Sequence, residues 1–95
     1  MSYITANGLN LWVERKGEGE PLLFISGSGS DLRNRPGPLD GPLVRSFDMV
    51  AYDQRGLGQS DKPDGPYSMA DYADDAAGLL DELDWATANV VGVSF

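Results

Sequence analysis

Ser94 has the sequence context that most clearly suggests catalysis. It follows a short apolar run, and Gly92 stands two positions before it, which gives the first half of a G-x-S-x-G pattern. In that pattern the serine lies on a strained turn between a strand and a helix, where glycines leave room for close backbone approach. Gly92-Val93-Ser94 alone is a weak signal that a strand ending in serine explains better, so the catalytic interpretation depends on the rest of the chain.

A second candidate is the loop of alternating serine and glycine at positions 26–30, which follows an apolar run at 22–25. Small side chains allow backbone N–H groups to face an oxyanion or a phosphate. A phosphate cradle fits poorly, because Leu32 stands where G-x-G-x-x-G needs its third glycine and no Gly-Lys-Ser/Thr follows. An oxyanion loop and a plain flexible turn remain as interpretations.

A third loop, at residues 53–60, follows the next apolar run at residues 49–52. Its sequence is Asp-Gln-Arg-Gly-Leu-Gly-Gln-Ser. The acid, the arginine and the two glycines suit a tight loop in which side chains hydrogen-bond the loop's own backbone. We therefore expect this loop to have a structural role more than a catalytic one.

Strands are predicted directly before each of these loops. Continuous apolar runs are typical of strands that are buried on both faces of a sheet. Earlier in the chain, Asn7-Gly8 is a strong signal for a two-residue hairpin turn. The strand after that turn alternates, with Leu9, Leu11 and Val13 on one side, and is expected to be half exposed. The predicted strands cover residues 3–6, 9–15, 22–25, 49–52 and 89–93.

One long helix is predicted between the third loop and the last strand. Ser68 and Asp71 form a capping box, and Tyr67 and Tyr72 are placed to staple the first turn. Apolar residues then recur with the helical period on one face, which leaves the acidic residues mostly toward solvent. A shorter helix could lie within residues 39–47. The apolar positions are 69, 72, 73, 76, 79, 80 and 83, and the acidic residues are Asp71, Asp74, Asp75, Asp81 and Glu82.

These elements together predict an α/β fold, in which an antiparallel hairpin is followed by parallel strands with crossover helices. The crossover connections of such a sheet are right-handed. The chain is short enough for at most one domain.

The composition restricts the chemistry further. The 95 residues include no histidine and no cysteine, and the net charge is -8. The chain therefore has no imidazole base, no zinc site of His/Cys type and no complete Ser-His-Asp triad of its own. The negative charge disfavours nucleic-acid partners. No apolar run approaches the roughly 18 residues of a membrane span, and no signal-peptide pattern is present, so we expect a cytoplasmic chain without membrane partners.

In this order and at these spacings, the segments resemble the N-terminal part of α/β-hydrolase fold enzymes over nearly the whole chain. The most specific match is Asp53-x-Arg55-Gly56-x-Gly58-x-Ser60, which resembles the family's D-x-R-G-x-G-x-S loop. The hairpin, the run at residues 17–27 and the strand at 90–94 resemble the family's first hairpin, oxyanion strand and nucleophile strand. The resemblance implies that residues 1–95 are the N-terminal segment of a single, incomplete α/β-hydrolase domain that ends at the nucleophile elbow.

The resemblance also implies residue roles. Ser94 would be the nucleophile, the backbone amides of Ser28 and Phe95 would hold the oxyanion, and Gly27 would belong to the same oxyanion or substrate-binding loop. Ser26 departs from the histidine that many members have at this position, and substrate preference is expected to differ as a result. The serine at 94 argues against haloalkane dehalogenases and epoxide hydrolases, which have aspartate there. No metal or cofactor is implied.

A hydrolase of this type also needs an acid and a histidine after the serine. We expect a C-terminal segment of the same hydrolase, as a continuation or a second chain, to supply them, and we expect the 95-residue chain to be inactive alone. The predicted activity is hydrolysis of a small ester, lactone or related acyl substrate. Two alternatives remain: a cofactor-free haloperoxidase or perhydrolase activity, and a non-catalytic α/β-hydrolase-fold protein that binds a ligand or partner.

Overall fold

A five-stranded mixed sheet forms the centre of the protein in a computed structural model, which describes residues 2–27, 29 and 31–93. Over those residues the strands begin and end within two residues of the predicted bounds. One helix lies between the fourth and fifth strands, as predicted. The elements are β1 (Ser2–Ala6), β2 (Leu9–Lys16), β3 (Glu20–Ile25), β4 (Phe47–Tyr52), α1 (Met69–Glu82) and β5 (Asn89–Gly92).

The order of strands across the sheet is β1-β2-β4-β3-β5. β1 and β2 form an antiparallel hairpin, β2 pairs antiparallel with β4, and β3 runs parallel to both β4 and β5. The hairpin turn lies at Asn7-Gly8, where φ is +51° and +77°, as a two-residue type I′ turn requires. An antiparallel part followed by a parallel part confirms the predicted fold class.

Side chains on β3 and β4 alternate between two apolar cores, one on each face of the sheet. Leu23 and Val50 pack with Leu79 of α1, whereas Leu22 and Met49 belong to the core on the opposite face. Because both faces are covered, these strands have continuous apolar sequences rather than alternating ones. The α1-side core also includes Ala6, Leu11, Val13 and Tyr52, and the opposite core also includes Leu32, Leu39 and Ala51.

The start of α1 has the predicted capping box. Asp71 N donates to Ser68 Oγ at 3.1 Å, and Ser68 N donates to Asp71 Oδ2 at 2.8 Å. That backbone hydrogen bond holds the pKa of Asp71 below its ordinary value. The rings of Tyr67 and Tyr72 meet edge to face with their centres 6.1 Å apart. Within the described residues no helix is long and apolar enough to cross a bilayer.

The buried face of α1 differs from the prediction. Met69 is 64% exposed, although it was expected in the core, and Asp75 is only 1% exposed, although it was expected toward solvent. The apolar contacts come from residues 76–83, because this half of the helix packs on the hairpin side of the sheet. The prediction counted apolar residues only, and therefore missed a buried acid that has a charged partner.

The segment between β3 and β4 covers the face of β2 that was expected to be exposed. Glu14 is 6% exposed there, and Trp12 packs against the core that contains Leu32 and Leu39. The short helix expected within residues 39–47 is instead two 3₁₀ turns, Pro38–Asp40 and Pro42–Arg45. Proline lacks the N–H that an uninterrupted helix would need at position 42, so the two turns remain separate.

Candidate functional site

The parallel strands β4, β3 and β5 end at one edge of the sheet, and the loops singled out in the sequence meet there. Open α/β sheets bind ligands at this carboxyl edge. Val93 N donates to the carbonyl oxygen of Ile25 at 3.1 Å. The residue that precedes Ser94 in the sequence therefore lies directly beside the start of the Ser-Gly loop.

A cleft of about 200 Å³ opens at this edge. Phe24, Ser26 and Gly27 line it from the β3 side, Val93 lines it from the end of β5, and residues of the segment 31–38 form the remaining wall. The cleft is thus bounded by two of the three chain segments that the sequence singled out as chemically informative.

Gly27 is the one predicted site residue that the described part of the chain contains. It lies in the cleft, half buried, and its N–H makes no hydrogen bond to any described residue. Ser28, Ser94 and Phe95 lie outside the described residues. Ser26, which stands where many family members have histidine, also lines the cleft and is 7% exposed.

Charged side chains hold the wall formed by residues 31–38. Asp31 lines the cleft and pairs with Arg33 at 3.0 Å, and the hydrogen bonds from Arg33 hold the pKa of Asp31 below its ordinary value. Arg35 donates to Glu14 Oε1 at 3.0 Å, and Trp12 Nε1 donates to the other oxygen at 3.1 Å. The buried carboxylate of Glu14 therefore connects this wall to β2.

Asp53 is the central residue of the loop at 53–60. Its side chain is fully buried, and its two carboxylate oxygens accept hydrogen bonds from Leu32 N at 2.7 Å and Gln59 N at 2.9 Å. Its carbonyl accepts from Ser60 Oγ at 2.6 Å, and that hydroxyl accepts from Trp12 N at 2.8 Å. The expected structural role is confirmed, and it extends beyond the loop to the cleft wall and to β2.

Gly58 allows this loop to close on Asp53, and its replacement gives a first test of the arrangement. Its φ is +52°, and a Cβ there would collide with the Asp53 carboxylate and with Asp31. Gly8 has a φ of +77° but open space around it.

We expect Gly8→Ala to cost about 1–2 kcal/mol of unfolding free energy from the left-handed backbone alone. Gly58→Ala should cost about 1–3 kcal/mol more because of the collision. Urea unfolding of both variants measures the difference, and equal losses would contradict this account of the loop.

Arg55 joins the same loop to α1 through a buried ion pair. Arg55 Nε lies 2.7 Å from Asp75 Oδ2, and Nη2 lies 2.8 Å from Oδ1. Asn7 Nδ2 donates to Oδ1 at 3.0 Å, so the same carboxylate also fixes the hairpin turn. Asp75 raises the pKa of the Arg55 guanidinium, and burial together with Asp75 raises the pKa of Tyr52. The Asp75 carboxylate thus links α1 to the loop at 53–60 and to the hairpin turn between β1 and β2.

Three residues that matter at this edge, Glu14, Gln54 and Asp75, were not identified from the sequence. Asp75 had one available signal, because it lies one helical turn before the buried Leu79. Glu14 and Gln54 had no such signal, since the charged partner of Glu14 and the backbone partner of Gln54 lie 21 and 28 positions away. Among residues 2–27, 29 and 31–93, no group of three or more acidic side chains is placed to hold a metal ion.

Residues 20–95 match the model of the α/β-hydrolase fold family. A 2-(acetamidomethylene)succinate hydrolase of Mesorhizobium japonicum is 43% identical over 90% of this chain and 31% of its own length. A protein of Mycobacterium tuberculosis that is named as a non-heme bromoperoxidase is 36% identical over 90% of this chain and 33% of its own length. The chain therefore spans about a third of the length of these relatives.

Solved structures give the same result. The enol-lactonase from Burkholderia xenovorans superposes with a TM-score of 0.88 at 32% identity, over 97% of this chain and 36% of that one. An epoxide hydrolase from Vigna radiata superposes with a TM-score of 0.86 at 26% identity, over 97% of this chain and 30% of that one. This chain belongs to the α/β-hydrolase fold family.

Proposed function

We propose that this chain supplies the nucleophile-bearing N-terminal part of a serine hydrolase that acts on a small ester, lactone or related acyl substrate. The observation that carries the proposal is the hydrogen bond from Val93 N to the carbonyl of Ile25. It brings the chain immediately before Ser94 to the cleft that Ser26 and Gly27 line. A nucleophile and an oxyanion loop must be adjacent in this way for acyl transfer.

In the proposed reaction, Ser94 Oγ attacks the acyl carbon and forms a bond to it, while the carbonyl electron pair moves to the oxygen. Backbone N–H groups of the loop that contains Gly27 and Ser28, together with that of Phe95, stabilise the resulting oxyanion. The serine proton passes to a histidine, which a carboxylate orients. The histidine must come from another segment, because this chain contains none, and the chain order of this family places the carboxylate after the serine as well. The oxyanion then collapses, the bond between the acyl carbon and the alcohol oxygen breaks, and the histidine gives its proton to the leaving alcohol. Water, which loses a proton to the same histidine, then attacks the acyl carbon, and the bond to Ser94 Oγ breaks as that oxygen takes the proton back.

The cleft and the relatives support the proposed substrate class. A cleft of about 200 Å³ suits a small acyl group. The similar proteins that carry a hydrolytic name include a lactonase and a hydrolase of a succinate derivative. The family resemblance implies that epoxide hydrolases have an aspartate nucleophile at the position of Ser94. The serine present here therefore argues against an epoxide substrate.

A second candidate is a cofactor-free haloperoxidase or perhydrolase activity, which the relative named as a bromoperoxidase favours. In that case the acyl group on Ser94 would be released to hydrogen peroxide instead of water, with formation of a peracid. The nucleophile and the oxyanion donors would be the same residues, and only the second step would differ.

One set of assays on the complete hydrolase distinguishes these functions. We expect hydrolysis of 4-nitrophenyl acetate and of a γ-lactone, and the ratio of peracetic acid to acetate formed with added hydrogen peroxide separates perhydrolase from hydrolase. Binding of these substrates without turnover would support the non-catalytic alternative and contradict our proposal. We expect the isolated 95-residue chain to show no turnover, because removal of the histidine from a triad costs on the order of 10⁶ in rate.

A further inference from the structure

Gln54 is a buried side chain that takes no part in the steps above. It is 2% exposed, and its Nε2 donates to the carbonyl oxygen of Ser26 at 2.8 Å. The two residues are 28 positions apart in the sequence. They meet because Ser26 directly follows β3 and Gln54 lies two residues after the end of β4, and these neighbouring parallel strands end together at Ile25 and Tyr52.

The acceptor of this hydrogen bond belongs to the same peptide unit as the Gly27 N–H. That peptide is trans, so its carbonyl and its N–H point in opposite directions. The carbonyl is held by Gln54, and the N–H therefore points away from Gln54. This N–H makes no hydrogen bond to any described residue, and Gly27 lines the cleft.

The neighbouring side chain holds the other end of the same segment. Asp53 Oδ1 accepts from Leu32 N at 2.7 Å, while Gln54 holds the carbonyl of Ser26. Two consecutive side chains after β4 thus fix both ends of the segment 26–32. Asp53 and Ser60 already hold the loop at 53–60 in place. The hydrogen bond of Gln54 is not needed for that purpose, and it acts on the loop beside the cleft.

We propose that Gln54 is a positioning residue: its amide orients the Ser26–Gly27 peptide and thereby the Gly27 N–H of the oxyanion loop. The proposal rests on the proposed function, in which this loop stabilises the oxyanion formed by attack of Ser94. Oxyanion donors contribute because they are oriented before the charge develops. Loss of the Gln54 amide leaves the Ser26 carbonyl without its partner and allows the peptide to rotate.

The test compares Gln54→Met with Gln59→Met in the complete hydrolase. Methionine has nearly the length of glutamine but no N–H, and Gln59 is an exposed glutamine in the same loop, so Gln59→Met is the matched control. We expect Gln54→Met to lower kcat about 10- to 100-fold with KM nearly unchanged, since small misplacements of this kind cost up to about that much. Gln59→Met should keep the wild-type values.

A pair of inhibitors adds a readout that a merely structural role would not change. A trifluoromethyl ketone accepts Ser94 Oγ at its carbonyl carbon, and the carbonyl oxygen becomes an oxyanion as the serine proton moves to the histidine. The matching methyl ketone binds largely without this addition. We expect Gln54→Met to weaken the trifluoromethyl ketone about as much as it lowers kcat, and the methyl ketone by less than about twofold.

Three results would overturn the proposal. Gln54→Met could match Gln59→Met in both readouts, or it could weaken both ketones equally, which would indicate general damage to the cleft. Failure of both Gln54→Met and the uncharged second variant Gln54→Leu to fold would assign Gln54 to the scaffold alone. Ser94→Ala separates these results from failure of the proposed function. Activity that survives Ser94→Ala would show that Ser94 is not the nucleophile, whatever the effect of Gln54→Met.

Discussion

Ser94→Ala in the complete hydrolase is expected to lower kcat for ester hydrolysis by about 10⁴- to 10⁶-fold. The nucleophile, the base and the acid of a triad act as a unit, so removal of the serine Oγ removes the covalent route entirely. Oxyanion donors and substrate binding remain in the variant and supply the residual rate. The measurement is a steady-state assay with 4-nitrophenyl esters, in which KM reports whether the substrate still binds.

Ser46→Ala is the matched control for this substitution. Ser46 is exposed and lies just before β4, and its structural contact is the backbone hydrogen bond from its N–H to Leu43 O, which alanine keeps. We expect Ser46→Ala to retain wild-type kcat and KM. A Ser94→Ala variant that keeps more than a tenth of the wild-type kcat would contradict Ser94 as the nucleophile.

Asp75→Asn is expected to lower the free energy of unfolding by about 3–5 kcal/mol, the usual cost of removing one partner from a buried ion pair. Asp75 is 1% exposed, and the Arg55 side chain that it pairs with is 12% exposed. The amide would leave the guanidinium of Arg55 without its hydrogen-bonded counter-charge. It would also present an N–H₂ group where Arg55 and Asn7 both need an acceptor.

Asp74→Asn is the control, because Asp74 precedes Asp75 on the same helix and is exposed. Its effect on stability should stay within about 0.5 kcal/mol. Chemical denaturation of both variants measures the difference. Similar small losses for the two would show that the Arg55–Asp75 pair does not connect the loop at 53–60 to α1 in the way described above.

The local elements could be predicted because their determinants lie close together in the sequence. Asn7-Gly8 fixes a turn through its own backbone preferences, and Ser68 and Asp71 cap the helix across a single turn. The runs at β3 and β4 are apolar because both faces of the sheet are covered, so they could be identified without knowledge of what covers them.

The buried charges could not be predicted in the same way. A buried acid needs a hydrogen-bonding or charged partner, and a local sequence pattern does not show one. The pattern therefore predicts that an acid on a helix or strand faces solvent. For Asp75 the partner is Arg55, and for Glu14 it is Arg35, in both cases from a loop brought close by tertiary structure. Only the three-dimensional arrangement supplies these partners.

The same distinction applies to the candidate site. The sequence identified the loops at 26–30 and 53–60 and the strand before Ser94, because each has a recognisable residue pattern. It did not indicate that Gln54 holds the peptide between Ser26 and Gly27, because that contact depends on the register of β3 beside β4. The sequence motifs therefore identified chain segments that lie at or near the cleft. The contact that fixes the Ser26–Gly27 peptide depends on how β3 and β4 pair, which the motifs do not indicate.

Covalent labelling of the nucleophile is the sharpest test that Ser94 attacks the substrate of an acyl hydrolase. The complete hydrolase is treated with a fluorophosphonate, which phosphonylates activated serines, and the adduct is located by peptide mass spectrometry. We expect one adduct, on Ser94, that is absent from Ser94→Ala and from the isolated 95-residue chain. No adduct on the complete hydrolase, or an adduct on another serine that persists in Ser94→Ala, would contradict it.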